Sequence, residues 1–478
     1  MNQRIILFQV CAFLFLFSPN VSAVGKKMPE GRGLPRFAVM SDTHFENGSQ
    51  TPRIMAAIEY AENNGRGPAI DRDTRKTDSA IMIPNVRGDG VFDDTKGLQD
   101  LLDTGGATIF LPKPAKNYLI SRTLKIHSGQ TLIVDRNAVI RLADRAGAHL
   151  LTNAEPARGD SNITVIGGIW DGNNLTQTTL FHSDRAKYKD QPYDRDVYLG
   201  VLMVFDNVKN LHVRDVIFKD PEMFAFLGGN LYQFTIENII FDFNMRRGNM
   251  DGIHIAGNSH FGRIVNLKGA TNDDLVALNA DDIPLLELAR GPITDIQVDG
   301  IFAEDAHRPV RLNSCGSPVK RVKISNIFGT YPYEAVILAN HKVHPDNPIV
   351  STFEDISLEG IFCTNSTKCM NMPHIRVFSP GQVTNLTIRD YHRTEEAVAT
   401  DNILVEKGAS VNCLTISDAT LNNKSEGTIS FVNNQGLIGV LNLSNVFLQG
   451  TSTRKVQLLK NEGTIQTINK SNVSEKNY

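Results

Sequence analysis

A short phrase of alternating apolar and polar residues recurs along the second half of the chain. Each copy starts with apolar residues at every second position, continues with a small or polar residue, and ends in a second apolar group. Alternation predicts a strand with one buried face, and the Asp, Asn or Gly in mid-phrase predicts a bend into the next strand. The copies are LHVRDVIF from Leu211, FTIENIIF from Phe234, GRIVNLKG from Gly262, IQVDGIFA from Ile296, VKISNIFG from Val322, ISLEGIFC from Ile356, LTIRDY from Leu386, LTISDATL from Leu414 and LNLSNVFL from Leu441.

The spacing of these copies predicts a solenoid. Successive copies start 23, 28, 34, 26, 34, 30, 28 and 27 residues apart. A strand-turn-strand unit of this length must stack on its neighbours to bury its apolar face. Leucine-rich repeats are the competing solenoid, but the copies lack fixed leucine and asparagine positions and favour Ile, Val and Phe. We therefore predict an all-β chain that forms a single-stranded, right-handed parallel β-helix.

The segments before residue 205 extend this architecture towards the start of the chain. Residues 123–142 and 162–173 have the pattern of earlier coils. A short amphipathic helix around Leu98 to Leu102 precedes them, and we expect it to cap the open end of the stack, as terminal units of solenoids must. The β-helix domain is thus predicted to span residues 81–460, with a C-terminal tail at 461–478.

The first residues have the pattern of an export signal. Arg4 precedes an apolar run at 5–17, and the run is followed by Val21-Ser22-Ala23 with the small residues that a signal peptidase requires. The run is short for a bilayer span, so residues 1–23 are predicted to be a cleaved signal peptide, with an uncleaved anchor as the alternative. We expect a secreted or periplasmic protein that has no membrane attachment after signal cleavage.

Composition excludes one large class of partner. The formal net charge is -3 and 21% of the residues are charged, so the chain has neither a basic footprint for nucleic acid nor an acidic tail. We therefore expect no nucleic-acid partner.

Residues 24–80 are predicted to be a leader of unknown role. They contain FAVMSDTHFENG, in which Asp42 and His44 resemble the opening motif of the calcineurin-like metallophosphoesterases. The remaining motifs of that family are absent, and two ligands cannot hold a two-metal hydrolytic site.

The cysteines leave two alternatives open. Four follow the signal segment, at Cys315, Cys363, Cys369 and Cys413, and an even number in an exported protein permits disulfides. The pair most compatible with this reading is Cys363 with Cys369. The alternative is that the cysteines are buried thiols that fill the core.

Three aspartates have a spacing that suits catalysis. Asp251 and Asp273 are 22 residues apart, close to one coil, so stacking is expected to place them on neighbouring rungs of one face. Asp274 is adjacent to Asp273, and a turn or bulge is needed to present both side chains. Carboxylates this close cannot all ionise cheaply, which predicts at least one protonated acid beside an ionised base. Glycoside hydrolysis requires such a pair. The alternative is that Asp273-Asp274 is only a solvated turn without a catalytic role.

His307 belongs to the next coil on the same face. It lies eleven residues after the start of its phrase, the same offset as Asp273. We expect it one rung beyond Asp273, with a structural surface imidazole as the alternative.

Four motifs resemble those of the pectin-active β-helix proteins, in particular glycoside hydrolase family 28, the polygalacturonases and rhamnogalacturonases. RGDGVFDDT at 87–95, with Leu-Pro at 111–112, is similar to their entry motif, and GGIWDGN at 167–173 is similar to a turn of the family. Asn249-Met250-Asp251-Gly252 resembles the Asn-Thr-Asp-Gly motif, and Asp273-Asp274 resembles the Gly-Asp-Asp motif.

The resemblance implies an inverting hydrolase acting on pectin-type chains, galacturonan or rhamnogalacturonan, without a cofactor or metal. Asp273 would be the general acid, Asp251 and Asp274 would orient water, and Asn249 would contact the acidic plant-type polysaccharide or oligosaccharide. His307 matches the family's Gly-His-Gly only at the histidine.

The family's Arg-x-Lys, which grips the substrate carboxylate, has no counterpart in residues 333–340. Arg311 is the substitute that we expect to bind this carboxylate, together with Arg308, because a guanidinium binds a carboxylate in a bidentate manner. The alternative is that both arginines only solvate the sheet edge.

Two other functions remain possible on the same fold. One is a polysaccharide lyase whose Ca²⁺ would be held by Asp273, Asp274, Asp281 and Asp282. The other is a non-catalytic carbohydrate-binding β-helix.

Overall fold

The computed structural model describes residues 83–478, apart from positions 105, 179–193, 195–196, 283–285, 341–342 and 345–346. Two predicted segments lie outside the described residues: the signal peptide at 1–23 and the leader at 24–80, which contains Asp42 and His44. Within them, one α-helix, α1 (Thr95–Thr104), precedes a stack of parallel strands.

The larger sheet of the described region contains fifteen strands, and every pairing between them is parallel. Its strands are β1 Thr108–Leu111, β2 Tyr118–Ile120, β4 Thr131–Leu142, β6 Asp160–Asp171, β8 Val208–Arg214, β9 Ile217–Lys219, β11 Tyr232–Asp242, β13 Ser259–Gly269, β15 Ile293–Glu304, β17 Val319–Tyr331, β21 Ser351–Asn365, β23 Gly381–Glu395, β25 Ser410–Asn423, β27 Leu437–Gly450 and β29 Thr464–Asn477.

The second sheet contains twelve short parallel strands, again counted over the described residues. An antiparallel pair, β19 (Val343–His344) and β20 (Asn347–Pro348), and a 3-10 turn at Asn174–Thr176 lie outside both sheets. The short strands are β3 Leu124–Ile126, β5 Leu151–Asn153, β7 Met203–Asp206, β10 Phe226–Gly229, β12 Ile253–Ala256, β14 Asp274–Asn279, β16 Arg308–Asn313, β18 Val336–Ala339, β22 Ile375–Val377, β24 Ile403–Val405, β26 Gly427–Asn434 and β28 Arg454–Asn461.

Each coil of the stack consists of one short strand followed by one long, bent strand, which is the right-handed parallel β-helix that the recurring phrase predicts. The apolar positions of the phrase stack in register along the inside. Phe234 pairs with Leu211 and Gly262, and Ile296 pairs with Gly262 and Val322. These side chains are buried, so each coil completes the core of its neighbours.

The mid-phrase residue produces the predicted bend. Asp215, Asn238 and Asn266 each have a left-handed backbone, with φ of 59°, 57° and 56°. Asn and Asp tolerate this conformation better than other residues with a side chain. The Asn238 amide donates to Asp215 at 3.0 Å, and the Asn266 amide donates to Asn238 at 2.7 Å. The bends are therefore joined from coil to coil by side-chain hydrogen bonds.

Helix α1 caps the first coils, as predicted. Its apolar residues Leu98 and Leu102 are buried in the core. The entry motif shapes the approach to the helix, because the buried Asp94 carboxylate accepts the backbone N–H groups of Arg87 and Gly88.

The coil stack continues beyond the boundary expected from the sequence. Strand β29 pairs in parallel with β27 along its length, within the segment predicted to be a tail. Regular alternation is weak there, since most of its side chains are exposed, and this is why the sequence pattern ended too early.

The disulfide alternative, with Cys363 paired to Cys369, is wrong, since the four cysteines of the described region form no disulfide. Cys363 points into the core, where burial raises the pKa of its thiol to about 12, whereas Cys369 is partly exposed. The buried-thiol alternative thus holds for Cys315 and Cys363.

No helix among the described residues is long and apolar enough to cross a membrane.

Candidate active site

The aspartates and arginines singled out in the sequence meet at the start of three successive short strands. Asp274 is the first residue of β14, and it pairs in register with Arg308, the first residue of β16. Asp251 lies just before β12, and the N–H of Gly252 donates to the Asp274 carbonyl. The coil spacing between β12 and β14 is 23 residues, so Asp251 stacks on Asp274 instead of on Asp273.

The chain bends at Asp273, directly before β14 begins at Asp274, so the two adjacent side chains can both be presented, as predicted from the sequence. Asp273 lies just before β14, and the Thr271 hydroxyl donates to its carbonyl at 2.7 Å. The Asp273 side chain is 22% exposed, whereas the Asp274 side chain is fully buried. Asp273 is therefore partly accessible to solvent, while Asp274 lies in the interior.

His307 lies one coil beyond Asp273, in the predicted place. Its Nδ1 is 3.6 Å from Asp273 Oδ1, and its ring packs against Tyr333 with 3.9 Å between the ring centroids. Burial, together with the charge of Arg308, lowers the pKa of His307 to about 4. The imidazole is thus neutral at neutral pH.

Both arginines are bound to Asp274. Arg308 Nη1 is 2.7 Å from Asp274 Oδ1, and Arg311 Nη1 is 2.7 Å from Asp274 Oδ2. Their side chains are only 11% and 13% exposed, so they do not solvate the sheet edge. Both guanidinium groups belong to the aspartate site, and their contact with a substrate carboxylate stays a prediction.

A chain of alternating charges extends from Asp274 along the next coils. Arg308 also donates to Glu334 Oε2 from Nε and Nη2, at 3.1 and 2.8 Å. Glu334 Oε1 is 3.0 Å from Arg376 Nη1, and Arg376 in turn pairs with Glu406. Glu334 and Arg376 were not predicted from the sequence. Arg376 occupies the register position of Arg311 two coils further on, but the long loop between β18 and β22 obscures this spacing.

Asp251 has a second partner that the sequence analysis missed. His254, one strand position inside β12, is fully buried, and its Nδ1 donates to Asp251 Oδ2 at 3.0 Å. Its Nε2 is 3.4 Å from Asp282 Oδ2, and the ring stacks on Phe224 with centroids 4.4 Å apart. The sequence did contain a signal for this contact: a histidine lies three residues after Asp251, and both side chains are at the same end of one short strand.

The three aspartates carry different charge states. Burial and the charges of Asp274 and Asp251 raise the pKa of Asp273 well above its usual value. Burial alone would raise the pKa of Asp274 too, but the charges of Arg311 and Arg308 outweigh burial and hold this pKa far below its usual range.

The charge state of Asp251 depends on His254. Burial raises the pKa of Asp251 to about 6, against the opposing hydrogen bond from His254. Burial would lower the pKa of His254, but its hydrogen bonds with Asp251 and Asp282 raise it to about 8. At a pH between these two pKa values, Asp251 is ionised and His254 is protonated, so the two side chains form a buried ion pair.

Asn249 takes part through its backbone. It has a left-handed φ of 65°, and its carbonyl accepts the N–H of Asp251 at 3.1 Å. The tight turn that results sets the direction in which Asp251 enters the site. A contact of the Asn249 side chain with substrate stays a prediction.

The four carboxylates proposed for calcium do not converge. Asp281 accepts the N–H of Ser317 at 2.6 Å, and Asp282 accepts the Asn279 amide at 2.6 Å. Within the described region, Asp273, Asp274 and His307 form the group whose ligand atoms lie within 4.8 Å of one another. Asp274 already pairs with two guanidinium groups, so this group is a poor fit to a hard cation that needs six or more oxygen ligands.

Comparisons with known proteins agree on the fold. No protein-family model matches the sequence, and no curated protein gives a match. The architecture places the chain among the right-handed parallel β-helix proteins. The pre-mature gene product 12 of bacteriophage phi29 is similar at 15% identity and a TM-score of 0.53, over 90% of this chain and 60% of that chain.

Two further solved structures are similar at lower TM-scores. The surface adhesin PfbA of Streptococcus pneumoniae matches at 14% identity and a TM-score of 0.48, over 80% of this chain and 90% of that one. The family 28 exopolygalacturonase of Yersinia enterocolitica matches at 13% identity and a TM-score of 0.48, over 80% and 76%. Identities this low support the fold alone.

Proposed function

We propose that this chain is a glycoside hydrolase that cleaves an acidic polysaccharide with inversion, and that Asp273 is its general acid. The supporting observation is the pair Asp273 and Asp274. One carboxyl is partly exposed and retains its proton, and the other is held ionised by two arginines. A protonated and an ionised carboxyl facing one bond are the groups that glycoside hydrolysis needs.

In this mechanism Asp273 protonates the glycosidic oxygen, and the ionised carboxylates of Asp274 and Asp251 orient the attacking water and receive its proton. Asp251 suits the second role because its pKa of about 6 makes it the stronger base of the two. His307 supports the acid, since burial and the charge of Arg308 lower the pKa of its imidazole to about 4 and so make it a weak acceptor for the proton of Asp273, 3.6 Å away.

The choice of a pectin-type chain, galacturonan or rhamnogalacturonan, rests on the motifs around Asp251 and Asp274 that resemble family 28. The proposed location, secreted or periplasmic, rests on the sequence at 1–23.

Product analysis on polygalacturonate and rhamnogalacturonan tests this function. We expect new reducing ends, no ultraviolet absorbance from an unsaturated uronate, and the same rate with and without a chelator. Proton NMR of the first product should show the inverted anomer. Unsaturated products that require a divalent cation would replace the hydrolase with the lyase. Binding of the polymers without any cleavage would replace it with the non-catalytic alternative.

A further inference from the structure

A concave surface lies away from the aspartates, on the larger sheet. It has a volume of about 640 Å³ and crosses the first residues of β6, β8, β11 and β13. The aspartates precede the short strands, whereas this cleft begins beyond their far ends. The side chains that matter for its chemistry are Asn162, Lys209, Asn210, Gln233, Phe261 and Arg263.

Phe261 has a backbone conformation that its side chain does not favour. Its φ is 58°, and the residues at the equivalent corner of the preceding coils, Asn210 and Gln233, and of the next coil, Asp295, are also left-handed. Those three side chains are polar, whereas Phe261 is a bulky apolar residue in a region that is costly for it. Its ring is nevertheless 50% exposed. Neither local conformation nor core packing therefore accounts for a phenylalanine here.

A second exposed aromatic ring stands beside Phe261. Tyr232 is 41% exposed and meets the Phe261 ring edge to face, with centroids 5.3 Å apart at 77°. Lys209 Nζ lies 5.6 Å from the centre of the Tyr232 ring. Phe261 and Lys209 line the cleft, and the Tyr232 ring contacts both of them.

The cations of the cleft have no directly bonded carboxylate among the described residues. Neither Lys209 nor Arg263 forms an ion pair there, whereas Lys219 and Arg321 on nearby coils do. Arg263 acts on Glu237 only from a distance: the pKa of Glu237 is lowered first by its hydrogen bond with His212 and then by the charges of His212, Arg214 and Arg263. Two cations without a bonded carboxylate, beside exposed rings, favour a ligand that carries negative charge and an apolar face.

We propose that this cleft is a second saccharide-binding site, specific for the uronic-acid units of a polysaccharide. The C–H face of a sugar ring packs on Phe261, and the amides of Asn210 and Gln233 bond its hydroxyl groups. Arg263 and Lys209 pair with the carboxylates. Neighbouring coils are about 4.8 Å apart, so four coils extend over about 14 Å, the length of a short oligosaccharide.

Such a site serves an enzyme that acts on a polymer. A chain held at the cleft keeps further units of the same polymer near the aspartates, which raises their effective concentration there. Binding at the cleft requires no turnover, so it does not depend on whether Asp273 is the general acid.

Chemical cross-linking tests the site directly. The full chain is incubated with a galacturonate hexamer and a water-soluble carbodiimide, which joins a sugar carboxylate to a nearby lysine amine as an amide, and modified peptides are mapped by mass spectrometry. We expect Lys209 to be modified at least about tenfold more than Lys268, an exposed lysine further along β13, since tenfold corresponds to one good contact. Similar modification of both lysines would refute the site.

Two variants and a competitor complete the test. Phe261→Asn suits the left-handed position that Asn210 already adopts, and it should reduce Lys209 modification about tenfold without lowering the unfolding temperature. Arg263→Gln should do the same, and neither change should alter modification of Lys268. Unchanged modification in both variants would overturn the proposal. An excess of monomeric galacturonate should reduce attachment of the hexamer to Lys209, and equal reduction by a neutral galactose oligomer would reject the acidic ligand.

Discussion

At the scale of single residues, the arrangement of charges distinguishes the two adjacent aspartates. Asp274 lies between Arg308 and Arg311, and Asp273 has no guanidinium at hydrogen-bonding distance among the described contacts. Burial and the charges of Asp274 and Asp251 raise the pKa of Asp273 well above its usual value, because both penalise the charged form. One position along the chain therefore separates a carboxyl that favours its protonated form from one that two guanidinium groups keep ionised.

Replacing Asp273 tests the role of the acid. Asp273→Asn keeps the shape and removes the proton donor, so kcat on a natural polymer should fall about a hundredfold or more. An aryl glycoside with a good leaving group needs little protonation, and its hydrolysis should be partly restored. Asp251→Asn and Asp274→Asn should show no such recovery, because they impair water attack. Full activity in all three variants would reduce these carboxylates to solvated or structural groups.

His254 should set the pH at which Asp251 becomes a base. Its hydrogen bond and charge lower the pKa of Asp251, which burial raises to about 6. In His254→Gln the opposing influence is weakened, the pKa of Asp251 rises, and the acid limb of the pH profile of kcat/KM should move to higher pH by about one unit. His212→Gln is the matched control, since His212 pairs with Glu237 on the other sheet. An unmoved limb would mean that Asp251 is not the base.

At the scale of elements, the bends of the long strands determine how the coils stack. Asn238 combines a φ of 57° with two side-chain hydrogen bonds, one to Asp215 and one from Asn266. The asparagine therefore has two roles: it tolerates the left-handed backbone of the bend, and its side chain links three successive coils by hydrogen bonds.

Two substitutions separate these contributions. Asn238→Ala loses the hydrogen bonds and places a Cβ without polar groups at a left-handed position, which should lower the free energy of unfolding by about 1–2 kcal/mol. Asn238→Gly loses the same bonds but relieves the backbone, so its loss should be smaller. Chemical denaturation measures both. Equal losses would show that the backbone conformation contributes nothing.

At the scale of the whole molecule, the stack depends on each coil covering the next. Strand β29 pairs with β27 over residues 464–477, where a tail was expected. Deletion of residues 464–478 should expose the edge of β27, lower the unfolding temperature and promote self-association. Scanning calorimetry and light scattering follow the two effects, with Lys470→Ala as a control that keeps the strand. A truncated chain as stable and monomeric as the intact one would mean that β29 adds nothing to the stack.

The sequence by itself determined the β-helix, because a buried strand face leaves a period of two and each coil repeats its bend. The cap at Leu98 and Leu102 and the bends at Asn238 and Asn266 followed from the same rules. The equal offset of eleven residues from the start of each phrase also placed His307 beside Asp273, because the chain between the paired positions of the long strand and those of the next short strand has the same length in both coils.

Only the tertiary structure decided which groups touch. The actual spacing of 23 residues placed Asp251 on Asp274, and the long loop before Arg376 hid its contact with Glu334. The free thiol of Cys363 likewise depended on which face of its strand is buried. Strand periodicity is a local property that a sequence displays, whereas ion pairs between coils depend on loop lengths and side-chain directions, which become fixed when the coils stack.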